Sequence, residues 1–144
     1  MTTSESAGAP APAGPAKTVW PILVYADARA GADFLVRAFG FVEKLVVPND
    51  SGSAIAHGEL AWPEGGGVMI STRGDGDPVF VDRPAGAALV YVVTDDPHRV
   101  HALATAAGAD IVREMRDEDY GSTGFSARDL EGNVFSFGTY RGEA

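Results

Sequence analysis

Short apolar runs rich in β-branched and aromatic residues recur along the chain, bounded by Gly, Pro, Asn or Asp, and at two places the spacing switches to that of a helix. Residues 19–25 (VWPILVY) read as a strand. Over residues 28–39, Phe34 and Ala38, and Leu35 and Phe39, lie four apart and share one face, and Gly40 is placed to end an amphipathic helix. Strands follow at 42–48, 54–62 and 67–72, separated by Asn49-Asp50-Ser51-Gly52 and Pro63-Glu64-Gly65-Gly66. The first half thus reads βαβββ.

A polar stretch rich in Asp, Gly and Pro, residues 73–86, reads as a surface loop between halves. The order then begins again. Residues 87–93 (AALVYVV) are a strand, and Asp95-Asp96-Pro97 opens a helix with Val100, Leu103, Ala104 and Ala107 as its apolar stripe and Gly108 at its end. Strands at 111–115, 124–129 and 133–140 complete a second βαβββ. A shift of 68 residues lays Asp27 on Asp95 and Gly40 on Gly108, and a shift of 67 lays Glu64-Gly65 on Glu131-Gly132. Such a duplication predicts an α+β fold of two modules, residues 18–72 and 87–141, curving as a mixed sheet around a cleft with helices on the outer face. Residues 1–17, with AGAPAPAGPA at 7–16, have little to bury and read as a flexible tail ahead of one domain at 18–141.

With 144 residues, 45% hydrophobic and 22% charged, the chain falls among ordinary globular domains. No apolar run approaches the roughly 20 residues of a membrane span. Twenty acidic against 11 basic residues give a net charge of -9, which repels nucleic-acid phosphate and argues against that partner. The lack of cysteine excludes disulfides, thiolate metal sites and a cysteine nucleophile. Residues 1–7 carry Glu5 and no Lys or Arg, unlike the start of a signal peptide, so a cytoplasmic location is expected.

Three stretches, VYADARAGADFLVRAFGF, AHGELAWPEGGGVMIS and the terminal FSARDLEGNVFSFGTY with its Asp-x-x-Gly-Asn turn, resemble the glyoxalase/bleomycin-resistance/dioxygenase (vicinal oxygen chelate) superfamily. The last stretch is similar to the bleomycin-resistance and PhnB-like branch, and the resemblance spans residues 17–141. It implies a divalent metal held by His and Glu from the first and last strands of each half, and a homodimer in which two chains complete the clefts. Counting seven residues back from the Asp before the helix places one ligand position at Trp20 and its counterpart at Ala88, or Leu89 if the register slips by one. Four residues beyond the turn glycine, the other positions fall on Ser136 and Ile70. None of the four is a strong metal ligand, so no metal and no cofactor are expected.

On these positions and the alternation of strands, the expected cleft is lined by Trp20, Ile22, Ile70, Ala88 and Ser136, with Val24 on the same face and His57, Glu59 and Trp62 as contacts near its rim. His57 and Glu59 stand two apart on one strand face and are the candidates for acid/base chemistry. His98 and His101, three apart on the second helix, are expected in solvent. Asp75-Gly76-Asp77 lacks the spaced acids of a calcium loop, and Gly121 to Gly124 read as a hairpin turn. The expected function is metal-free binding of a small aromatic or drug-like molecule, as in drug-sequestering, antibiotic-resistance members of the resembled branch. Two alternatives are an isomerase- or lyase-type enzyme using Glu59 or His57, and a metal-dependent glyoxalase- or dioxygenase-like enzyme, which the four positions disfavour. A closed-up interaction module is a further reading.

Overall fold

A computed structural model describes residues 17–143; the expected tail lies, but for Lys17, outside them. The two expected modules are present. The first comprises β1 (Ile22–Tyr25), α1 (Ala28–Phe34) with a closing π-helical turn (Leu35–Phe39), β2 (Val42–Pro48), β3 (Ile55–Ala61) and β4 (Gly67–Thr72). The second comprises β5 (Leu89–Val93), α3 (Pro97–Ala106), β6 (Asp110–Asp117), β7 (Thr123–Arg128) and β8 (Val134–Gly138). The linking loop contains one short helix, α2 (Pro78–Val81), started by the Asp77 side chain with Pro78 in the first turn. That Asp-Pro signal is in the sequence, hidden in a stretch otherwise all turn formers.

Each module forms its own four-stranded mixed sheet, in the orders β1-β4-β3-β2 and β5-β8-β7-β6. The first strand runs parallel to the last, and the other pairings are antiparallel. Both sheets turn one face to a shared core, where Phe39 packs at 5.2 and 4.9 Å from Phe135 and Phe137 and Trp62 lies 5.0 Å from Phe41. Phe39 belongs to the first module and the two phenylalanines to β8 of the second, so one aromatic cluster joins the halves. The helices lie on this face, and the opposite face of each sheet carries no helix.

The junction is also polar, and reciprocal. The Glu131 carboxylate accepts from the backbone N–H of Ala26 (2.7 Å) and Asp27 (2.8 Å), at the start of α1. Glu64 accepts from the Thr94 hydroxyl (2.7 Å) and the Asp95 N–H (2.8 Å), at the start of α3. Each carboxylate sits at the positive end of the other module's helix, bonded to groups at or just before its N-cap. The Glu-Gly pair that recurs with a shift of 67 is therefore a pair of mutual clamps.

The helices explain why the shift is not constant. Their N-caps are Asp27 and Asp96, 69 residues apart, while their closing left-handed glycines, Gly40 (φ 89°) and Gly108 (φ 78°), are 68 apart. The π-helical turn holds one extra residue in the first module and absorbs the difference. The strand before each helix follows the 69-residue spacing.

Candidate functional site

Pairing fixes which side chains share the helix-free face. In the second sheet, Tyr91 pairs with Ser136, Ser136 with Ser126, and Ser126 with Arg113, one rung across all four strands. In the first sheet the equivalent rung is Ile22, Met69, Glu59 and Leu45. The two faces thus carry opposite chemistry at matched positions.

The first face is largely apolar. Ile22, Val42, Leu45 and Val47 are exposed there, with Met69 half-buried among them. Glu59 stands beside Met69, and its Oε2 lies 2.8 Å from His57 Nε2. The strand alternation predicted this pairing of His57 with Glu59 on one face. The second face is lined with hydroxyls: the Ser126 hydroxyl donates to Ser136 at 2.9 Å, and the Tyr91 hydroxyl donates to the Tyr140 carbonyl at 2.7 Å. Burial holds the Tyr91 phenol above its ordinary range, so it stays a neutral donor. Gly138 lies so close to Tyr91 that a Cβ there would stand 2.8 Å from the phenol oxygen.

Ile22 and Ser136 lie on the helix-free faces, Ile22 half-exposed and Ser136 partly buried. Ile70 does not: it pairs with Leu23, points into the core and is fully buried, and its neighbour Met69 takes the expected place. The same one-residue displacement affects Ala88, whose side chain packs toward the core while the Asn133 side chain accepts from its backbone N–H at 2.9 Å. Leu89, 75% exposed, is the residue in line with Tyr91. Trp20 is partly buried, its ring covering Gly67. Trp62 is buried, 7% exposed, with its indole N–H donating to the Val93 carbonyl at 2.9 Å, and it also lines a groove at the junction of the modules. Val24 shares the Ile22 face but is 9% exposed. His101 is less free than expected, lying edge-on to Phe125 at 4.9 Å with Nε2 3.1 Å from Glu114; His98 is exposed.

Two grooves run where the modules meet. One, of about 260 Å³, is lined by Pro21, Phe41, Trp62, Val68, Val90 and Val92; the other, of about 480 Å³, by Ile22, Val24, Arg83, Pro84, Ala88 and Asn133. β1 and β5 are edge strands, and the exposed apolar side chains Ile22, Leu89 and Tyr91 lie on them. Sequence reasoning passed over Arg113 and Ser126, although both fall on predicted strands; a rung can be read only once the register is known.

With the register corrected, the positions at which the resembled family holds metal are Trp20, Met69, Leu89 and Ser136. An indole, a thioether, an alkyl chain and one hydroxyl do not make a donor set for a hard or borderline divalent ion. Among the described residues no three His, Cys, Asp or Glu side chains come together. None of the described helices is long and apolar enough to cross a membrane.

Residues 17–137 match the family model described as the Glyoxalase/Bleomycin resistance protein/Dioxygenase superfamily. Among solved structures the chain is similar to TioX from Micromonospora sp. ML1, at 30% identity over 89% of this chain and 99% of that one, with a TM-score of 0.71. A glyoxalase/bleomycin resistance protein from Streptomyces sp. CB03234 shares the fold at 18% identity, covering 83% and 98% of the chains, with a TM-score of 0.60. A glyoxalase-related enzyme from Clostridium phytofermentans does so at 15% identity over 88% and 96%, with a TM-score of 0.61. No curated protein matches.

Proposed function

Since the chain belongs to the Glyoxalase/Bleomycin resistance protein/Dioxygenase superfamily, and its own residues at the family's metal positions are poor donors, we propose that it is a metal-free protein that binds a small, ring-bearing, drug-like molecule. The observation that carries this reading is the helix-free face of the first sheet, where Ile22, Leu45, Val47 and Met69 present apolar surface around a single His57–Glu59 pair. Such a lining desolvates a ring while one polar pair fixes its orientation. The exposed apolar residues on edge strands β1 and β5 suit a second copy of the chain, which would wall off the grooves beside them.

Elemental analysis of the purified protein, combined with thermal shifts against a panel of aromatic compounds, tests the proposal. We expect less than a tenth of an equivalent of Zn, Ni, Mn or Fe, a dimer by light scattering, and an upward shift of the melting temperature with some ring compounds. One tightly held metal per chain whose chelation abolishes the shift would sink it.

The 2.8 Å contact between His57 and Glu59 favours one second reading, an isomerase- or lyase-type enzyme in which Glu59 takes a proton from a ligand held on the same face and His57 positions its carboxylate. Glu59→Gln separates the two. An enzyme loses turnover by about a hundredfold or more while keeping affinity, whereas a binder shows no turnover in either form.

A further inference from the structure

The rung on the second sheet holds more hydrogen-bond donors than acceptors. Arg113 spends one of its N–H groups on Glu118 at 3.0 Å, leaving most of its five donors. Ser126 donates to Ser136, and the Ser136 hydroxyl proton has no acceptor among the described residues. Tyr91 closes one end, Gly124 and Gly138 leave the floor bare, and the hollow between them measures about 50 Å³. That is room for a small polar group such as a carboxylate. Glu118 also lines the hollow and divides its two oxygens between Arg113 and Arg116, so it satisfies only part of the Arg113 guanidinium. Donors in excess within a small hollow call for a group that only accepts.

We propose that this hollow is a carboxylate subsite: one carboxylate oxygen accepts from the Ser136 hydroxyl and the other from the Arg113 guanidinium, so that the molecule it takes carries a carboxylate. It goes beyond the ring-binding reading, which concerns the first sheet's face, by giving the matched rung of the second sheet a ligand of its own. Ser126, by donating to Ser136, turns the Ser136 proton outward and acts as a positioning residue. Glu118 holds the guanidinium over the strand in the same sense.

Acetate, benzoate and benzamide, each titrated into the full chain and followed by ¹⁵N–¹H NMR against a chloride control of equal ionic strength, test the assignment. Saturable acetate shifts at the Arg113 side-chain N–H and the Ser126 and Ser136 amides are expected, absent with chloride. Benzoate should bind about tenfold more tightly than benzamide, and Arg113→Gln should weaken acetate and benzoate about tenfold. Arg113→Lys should recover part of the loss, and Ser136→Ala should weaken both several-fold. If acetate perturbs these signals no more than chloride does, or if Arg113→Gln leaves its affinity unchanged, the subsite is refuted. Should benzoate and benzamide then still bind equally well, ring binding stands without the subsite. Saturable acetate with no added affinity from the ring would leave the subsite standing as one for small acids.

Discussion

The Tyr25 phenol is the most deeply committed polar group in the chain, fully buried and donating to Asp129 at 2.6 Å across the junction between modules. Asp129 is itself held by Asn133 and by the backbone of Glu131 and Asn133. Tyr25→Phe leaves the carboxylate these partners and removes one charge-assisted bond, so a loss of about 1.5–3 kcal/mol is expected in urea denaturation. Burial, aided by the Asp129 charge, pushes the phenol far above its ordinary value of 10.0. A group whose folded pKa is raised stabilises fully below its unfolded pKa and loses that contribution as pH rises beyond it. Stability should therefore fall above roughly pH 10. The fall should be shallower by one proton in Tyr25→Phe. At this scale the sequence was a partial guide. Trp62 reads as a rim contact, and its indole both packs against Phe41 in the core and lines a junction groove, a double place that only the fold reveals.

Strand alternation made Ile22 and Ser136 legible as open-face residues. Ala88 went astray for an elemental reason, and Ile70 through a count taken from Gly66 where Gly65 is the glycine aligned with Gly132. The shift of 68 is true at the closing glycines and false at the N-caps, because a π-helical turn spends one residue more than the corresponding turn of α3. Side chains in a strand change face with every residue, so an error of one exchanges core for surface. Ile70→Ala should cost about 2–5 kcal/mol in chemical denaturation, as a cavity in a fully buried site. Met69→Ala should cost well under that and instead weaken ring-compound affinity. Equal destabilisation by the two substitutions would contradict the assigned faces.

For the whole molecule, the duplicated order and the two-module fold were legible because each half repeats its turns and glycines, whereas the mutual clamps were not, since a repeated Glu-Gly gives no hint of which backbone it will reach. Glu64→Ala and Glu131→Ala should each cost about 1 kcal/mol, the scale of a lost helix cap. Because the two clamps share no hydrogen-bond partner, the double variant should lose the sum within about 0.5 kcal/mol. Thermal or urea unfolding of the three variants measures this directly.

The clamps also bear on how the halves depend on one another. Each helix is capped by its own aspartate and receives a second carboxylate from the other half, so the first turns are where the halves recognise one another. Peptide linkage through residues 73–86 supplies proximity, not recognition. A chain rearranged so that the second module precedes the first should then find the same partners and reach the same fold, because the halves identify each other by their corners and not by their order.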